Sequence, residues 1–276
     1  MHKALVIGKP IKHSLSPKLH NYWLKEKEIE GEYLAEEVDS EKLEEFILNL
    51  QKRNISGINI TIPHKEKAYE IVKKHGNLSE LAKKIEAINT IYFKDGKMYG
   101  DNTDYFGFVE NLKIKAQDKK IEEKKYLIIG AGGAAKAIIA GLLANSDNKI
   151  IIVNRSQEKL QKLKQKYREK IDIGNLEDLE EKINKAEIIV NTSSMGLNGE
   201  NEIILNHAKI NQGKIFYDIV YKPEITKFLK DAKTENQKIV TGIGMLICQA
   251  IPAFRYFFGQ EVVYDSGLDE YLLNKD

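Results

Sequence analysis

Cysteine is almost absent: Cys248 is alone among 276 residues, so no intrachain disulfide can form and the chain reads as a protein of a reducing compartment. Long hydrophobic runs are missing too. The apolar stretch at the N-terminus is too short to span a bilayer and has no cleavage pattern, so neither a signal peptide nor a membrane span is expected, and a cytoplasmic location is the default. No block of one charge occurs. Lys and Glu are dispersed along helical faces and the net charge is +2, which argues against nucleic acid or an anionic membrane as a partner and makes any anion site a local one. Repeats and low-complexity linkers are lacking as well. What remains, 42% hydrophobic and 30% charged, is the composition of a globular protein with room for two domains.

From residue 1 to about Asn102, short strands alternate with amphipathic helices, which predicts an α/β domain. Its pieces are a strand at "ALVIG", a helix after Ser16, a strand near "EYLAEEV", a helix from Ser40 to about Arg53, the strand "SGINITIP" and a helix from His64 to about His75. A hairpin follows, with Lys94-Asp95-Gly96 as its turn. The charged stretch "KIKAQDKKIEEKK" reads as an exposed connection. Beyond it come "YLIIG", a glycine-opened helix, the strand "KIIIVNR", the helix "SQEKLQKLKQKYR", the strands "AEIIVNTSS" and "GKIFYDIVY", and a helix from Pro223. This βαβαβ succession predicts a doubly wound, Rossmann-like parallel sheet. The expected division is a substrate-binding α/β domain over 1–103, completed by helices of 242–276, and a nucleotide-binding domain over 104–241, with the active site in the cleft between them.

In "KPIKHSLSPKLHN" an apolar strand stops and a helix begins. Ser16 before Pro17 predicts an N-cap followed by the first helical residue. Ser14 is a surplus hydroxyl beside free backbone N–H groups, and the two serines together form a small donor-rich pocket suited to a carboxylate or a polyol. A plain capping role for Ser16 is the competing reading.

Gly130, Gly132 and Ala135 stand at G-x-G-x-x-G/A spacing directly after a strand and at the mouth of a helix, the context that makes this motif a dinucleotide site. About 20 residues on, where a carboxylate would hold the free ribose 2′-hydroxyl of NAD, the chain reads "NRSQEK". Asn154, Arg155 and Ser156 offer donors and positive charge there, with Lys159 one turn on, so NADP is favoured.

"NITIPHK" puts Thr61 at a strand end and Lys65 in the first turn of the next helix, and "GDNTDYFG" puts Asp104 at another helix start after Asn102 and Thr103. A helix N-terminus disfavours an ammonium and a nearby carboxylate favours it, so such a pair is a candidate for proton transfer, although each residue alone reads as an ordinary charge or cap. Trp23, Phe254, Tyr256, Phe257 and Phe258 have the spacing of core aromatics, Cys248 reads as a buried thiol, and Met245 as a packing or substrate-side residue. His13, His20 and His64 have no metal-ligand spacing, and no metal is expected.

Taken in order, "GKPIKHSLSP", "NITIPHK", "AINT", "GDNTDYFG", "GAGGAAKA", "NRS", "NTSSMG", "YDIVYKP" and "GIGMLICQA" resemble the motifs of the shikimate dehydrogenases over essentially the whole chain. The resemblance implies reversible NADPH-dependent reduction of 3-dehydroshikimate to shikimate, in the pathway to chorismate and the aromatic amino acids. It implies that Ser14 and Ser16 hold the substrate carboxylate with Tyr221, that Thr61, Asn89, Asp104 and Gln249 meet ring hydroxyls, and that Lys65 is the catalytic lysine with Asp104 as partner. It further implies that Gly130, Ala131, Gly132, Gly133 and Ala134 carry the pyrophosphate, that Asn154, Arg155, Ser156 and Lys159 face the 2′-phosphate, and that Ile219 and Gly242 lie on the nicotinamide side. Two positions depart from the family pattern: Tyr105, often glycine, and Lys159, often arginine, which binds phosphate without a bidentate fork. A monomer or homodimer is expected. The alternatives are a quinate/shikimate dehydrogenase using NAD or both cofactors, and a non-catalytic NADP sensor that would have no need of the Lys65 and Asp104 pair.

Overall fold

The computed structural model describes residues 2–118, 120–145, 149–206, 209–265 and 267–274. The chain divides into two units, Met1–Gly107 with Leu246–Asp276, and Phe108–Met245.

In chain order the first stretch contains β1 (His2–Gly8), α1 (Ser16–Glu26), β2 (Gly31–Glu37), α2 (Leu43–Leu48), β3 (Ile55–Ile60), α3 (Lys65–His75), β4 (Asn77–Leu78), α4 (Glu80–Ile85), β5 (Thr90–Lys94), β6 (Lys97–Asp101) and α5 (Asp104–Ala116). The strands form one sheet in the order β2-β1-β3-β5-β6-β4. β1 runs parallel to both β2 and β3 in the interior of the sheet, and Ala4 to Gly8 are all buried, so the run is apolar throughout. Leu5, Ile7, Leu43, Ile47, Ile58, Ile60, Val72 and Ile91 make the core of this unit. The β5–β6 hairpin is antiparallel, and its turn places Asp95 and Gly96 at φ of 51° and 70°, the geometry an Asp-Gly turn supplies.

Several elements differ from the sequence-based expectation. Ser16 is not the cap of α1: Leu15 holds that position and Ser16 is already helical, its N–H donating to Ser14 Oγ at 3.3 Å. The expected helix from Ser40 to Arg53 is α2 flanked by two 3-10 turns, because the α-helix ends at Asn49 and the chain turns out through Asn54 at φ 54°. α4 starts at a cap that spacing did not reveal: Ser79 Oγ accepts from Ala82 N at 3.1 Å. The charged stretch that begins within α5 is not a free connection either. α5 continues through Lys113 and Lys115 to Ala116 with only its outer face charged, and Leu112, Ala116 and Ile121 are buried.

The second unit contains β7 (Tyr126–Ile129), α6 (Gly133–Asn145), β8 (Ile150–Val153), α7 (Gln157–Tyr167), β9 (Ile171–Gly174), α8 (Leu179–Asn184), β10 (Ile188–Asn191), β11 (Ile215–Asp218), α9 (Lys227–Thr234) and β12 (Lys238–Val240). All six strands are parallel, in the order β12-β11-β10-β7-β8-β9. The order reverses between β7 and β10, where the dinucleotide-binding fold opens its crevice at the carboxyl ends of the strands. The helix expected from Pro223 begins at Lys227, because Thr226 is the residue whose side chain caps it. α10 (Ile243–Phe258) and α11 (Gly267–Leu273) complete the chain, and from Leu246 onward it belongs to the first unit. Among the described residues no helix is long and apolar enough to cross a membrane.

Candidate functional site

The topology of the first sheet gathers the predicted residues at one end. β1 and β3 are parallel neighbours, so the segments leaving them, toward Ser14 and Ser16 and toward Thr61 and Lys65, emerge at the same edge. Thr61 N donates to Ile7 O at 2.9 Å and Lys9 N to Ile62 O at 3.1 Å, which ties the two exits together. A Cβ on Gly8 would come within 2.5 Å of the Thr61 methyl, so a residue without a side chain is needed for that approach. β5 enters and β6 leaves at this edge, since Asn59 pairs with Thr90 and Thr90 with Asp101. Asn89 and Asp104 therefore flank the strand ends from the other side.

Lys65 Nζ donates to Asp104 Oδ2 at 2.6 Å, with side-chain exposures of 16% and 7%. The other carboxylate oxygen accepts from Asn89 Nδ2 at 2.9 Å, so the carboxylate is held from two sides. The amide of Asn89 is itself fixed. Its Oδ1 accepts from Thr103 N and from Thr90 Oγ1, both at 2.9 Å, which leaves Nδ2 no choice but to face Asp104. Behind it a buried series of donors continues: Asn59 Nδ2 donates to Thr90 Oγ1 at 3.1 Å, and Tyr33 Oη to Asn59 Oδ1 at 2.7 Å. Asn102 Oδ1 accepts from Asp104 N at 3.0 Å and starts α5. Gln249, from α10, brings its Oε1 to 3.2 Å from Thr103 Oγ1 and 3.3 Å from Asn89 Nδ2.

The structure thus joins Lys65, Asn89, Asp104 and Gln249 in one network. Thr61 lies on the turn whose carbonyl accepts from His64 N at 3.0 Å, and Ser14 and Ser16 at the opening of α1 are bonded to each other and not to this network. Sequence reasoning did not single out Thr103 as a contact or Tyr33, Asn59 and Thr90 as its support. Thr103 lies inside the quoted "GDNTDYFG", but its partners come from segments far apart in the chain. His64 is buried, its Nε2 2.7 Å from Val38 O, and His20 is buried in an aromatic cluster. Cys248 is also buried.

In the second unit Gly130 closes β7 at φ 117°, a conformation reserved for glycine, and a Cβ there would come within 2.7 Å of Thr192 Oγ1 at the end of β10. Gly132 is different: its Cβ direction meets nothing within 4 Å. Backbone there is open to a ligand, and Gly133 and Ala134 start the 13-residue α6, whose buried Ala135, Ala137 and Ile138 pack it on the sheet. This cradle at a helix N-terminus fits a pyrophosphate. At the end of β8, Asn154 Nδ2 donates to Ser156 O at 3.2 Å, and Ser156 caps α7 by accepting from Lys159 N at 3.4 Å. Arg155 and Lys159 are exposed there and no carboxylate occupies the strand end, which suits a 2′-phosphate.

Ile219 and Gly242 meet directly: a Cβ on Gly242 would overlap the Ile219 carbonyl. Tyr221 is half-buried, and loss of solvent raises its hydroxyl above the ordinary tyrosine range. The turn carrying Ile219 and Tyr221 hangs on Asp218, which sequence reasoning passed over. Its Oδ1 accepts from Val220 N at 2.9 Å and Asn191 Nδ2 at 3.0 Å, and its Oδ2 from Thr226 Oγ1 at 2.7 Å. Burial pushes this carboxyl up to about 6 despite the three donors.

Residues 6–91 match the family model of the shikimate dehydrogenase substrate binding domain, and residues 112–237 that of shikimate / quinate 5-dehydrogenase. A shikimate dehydrogenase (NADP(+)) of Pelagibacter ubique is 42% identical over 253 residues, covering 91% of each chain. The solved shikimate dehydrogenase of Aquifex aeolicus superposes with a TM-score of 0.87 at 37% identity, over 100% of this chain and 98% of that one. The Thermus thermophilus shikimate 5-dehydrogenase, solved in complex with NADP(H) and shikimate, gives 0.85 at 31% identity, over 99% and 98%.

Proposed function

The chain belongs to the shikimate dehydrogenase family, and from that membership we propose that it reduces 3-dehydroshikimate reversibly to shikimate with NADPH, using Lys65 to move the proton and Asp104 to hold it in place. The observation that carries this assignment of roles is the Lys65 to Asp104 contact of 2.6 Å inside the Asn89, Thr103 and Gln249 network. NADPH supplies the hydride when bound, and NADP accepts it in the reverse direction. Lys65 Nζ gives a proton to the oxygen that becomes the alkoxide, and takes it back from the alcohol in reverse. Asp104 Oδ2 fixes Nζ while Asn89 fixes Oδ1, so the carboxylate cannot turn away from the lysine. Asn89, Thr61 and Gln249 meet the ring hydroxyls, and a compound lacking one of them leaves buried polar groups unpaired, which is where discrimination arises. Ser14, Ser16 and Tyr221 take the carboxylate. Gly130, Ala131, Gly132, Gly133 and Ala134 hold the pyrophosphate, Asn154, Arg155, Ser156 and Lys159 the 2′-phosphate, and Ile219 with Gly242 the nicotinamide side.

A cytoplasmic enzyme working as a monomer or homodimer, with no nucleic acid as partner, agrees with the single cysteine and the dispersed charge. The test is NADP reduction with shikimate, repeated with quinate and with NAD. Turnover is expected with shikimate and NADP; comparable rates with quinate or NAD would replace this assignment by the broader dehydrogenase. Lys65→Ala is expected to lower kcat by about 10²–10⁴-fold with the shikimate KM little changed, the mark of a group acting in the transition state. Near-normal kcat in that variant removes Lys65 from the proton transfer.

A further inference from the structure

Tyr256 has the helical spacing of a core aromatic, yet it does not share the fate of its neighbours. Phe254, Phe257 and Phe258 are buried, whereas Tyr256 is half-buried with its ring stacked on Tyr92 at 4.1 Å, and Tyr92 on Tyr99 at 5.4 Å. Its hydroxyl donates to Asp101 Oδ2 at 3.0 Å. Burial and the Asp101 charge push that hydroxyl up to about 12, so it remains a donor at any working pH.

Asp101 is the last residue of β6 and the residue before the Asn102-Thr103-Asp104 run. Its Oδ1 accepts from Ser79 Oγ at 2.5 Å and from Asn102 N at 2.8 Å, and its backbone carbonyl accepts from Asn89 N at 3.0 Å. One residue therefore seats both arms of the network, and the tyrosine of α10 is fastened to it. Gln249 stands seven residues before Tyr256, two turns away on the same helical face. Pro252 lies between them and has no N–H for the carbonyl of Cys248, so the ladder of α10 is interrupted there. The three phenylalanines of α10 pack away from β6, Phe254 and Phe257 against His20, Trp23 and Tyr33 and the Phe257 ring over Gly57. The directional tie that sets the slide of the helix along β6 is the hydroxyl-carboxylate bond. Gln249 is sensitive to that slide because its contacts to Thr103 and Asn89, at 3.2 and 3.3 Å, are already at the long end of the hydrogen-bond range.

We propose that Tyr256 and Asp101 form a positioning pair for substrate recognition, the bond between them setting where Gln249 stands against Asn89 and Thr103. The proposal rests on the reading of Gln249 as a substrate-binding residue. Tyr256→Phe keeps the ring stack and removes the bond. It is expected to raise the shikimate KM by about 3–10-fold, the net worth of one intramolecular hydrogen bond, with the NADP KM within about twofold, since Gln249 is read as a substrate-side residue. The decisive measurement is the cycle with Gln249→Ala. If Tyr256 acts through Gln249, the double variant has the shikimate KM of Gln249→Ala alone. Multiplying effects, or a Tyr256→Phe enzyme with the parent KM, overturn the proposal while leaving Gln249 in place. An unchanged KM in Gln249→Ala overturns the reading of Gln249 itself, and the positioning pair with it. The NADP KM, measured in every variant, reports that the enzyme is folded.

Discussion

His20 is wholly buried and neither ring nitrogen has a hydrogen-bond partner. Its ring lies flat on Tyr33 at 4.0 Å, with Trp23, Phe254 and Phe257 around it, and burial lowers its proton affinity to a pKa of about 3. The folded protein thus refuses a proton that the unfolded chain accepts below about 6.5. A histidine whose folded pKa is depressed withdraws stability as pH falls from its unfolded value toward its folded one. Between about pH 7 and pH 5 this amounts to roughly 2 kcal/mol. His20→Phe, which keeps a planar ring on Tyr33 and removes the two orphaned nitrogens, is expected to abolish that loss. Urea titrations at the two pH values check it, and an unchanged acid loss in the variant would refute the role of His20.

At the scale of elements, the close approach of Gly242 to Ile219 lets the segment before α10 lie against the turn after β11. Gly242→Ala puts a methyl group into the Ile219 carbonyl and within 2.8 Å of Val220 O, and backbone atoms do not yield as a flexible side chain does. The variant is expected to lose about 1–3 kcal/mol and to raise the NADP KM more than the shikimate KM; equal effects on both would mean that this approach does not serve the cofactor side. Gly242 shows what sequence reasoning reaches and where it stops. Its glycine was legible within "GIGMLICQA", as was the β7–α6 loop, because strand, glycines and helix are contiguous. Lys65 and Asp104 were legible as residues at two helix starts. The partners that orient Asn89 were not, because Thr90, Thr103 and Asn59 converge from three segments and no local spacing encodes their meeting. β4, α4 and β9, of two to six residues, are too short to carry periodicity. Tyr256 escaped for another reason: a 3.6-residue spacing marks a helical face but does not say whether a carboxylate waits at its edge.

At the scale of the whole molecule, the two units carry buried titratable groups of opposite sign. His20 in the first unit disfavours acid. Asp218 in the second favours it, since its carboxyl is raised from 3.8 to about 6 by burial. A carboxyl whose folded pKa is raised contributes stability that is complete below its unfolded pKa and is lost as pH rises through the folded one. From about pH 8 down to pH 5, Asp218 therefore returns about 1 kcal/mol while His20 withdraws about 2 kcal/mol. Asp218→Asn isolates the first of these. Its amide oxygen still accepts from Val220 N and Asn191, and its NH₂ faces Thr226 Oγ1, which turns to accept, so the turn before α9 keeps its bonds without the charge. The variant is expected to be more stable than the parent at pH 8, with an advantage that shrinks by about 1 kcal/mol at pH 5, whereas the advantage of His20→Phe grows over the same interval. The single tryptophan, Trp23, lies 5.7 Å from His20 in the first unit, so its fluorescence follows that unit, while backbone circular dichroism follows both. If the Asp218→Asn curve ran parallel to the parent's from pH 8 to pH 5, the buried carboxyl would be ionised over that whole range as it is in the unfolded chain, and the turn that bears Ile219 and Tyr221 would be held by a carboxylate.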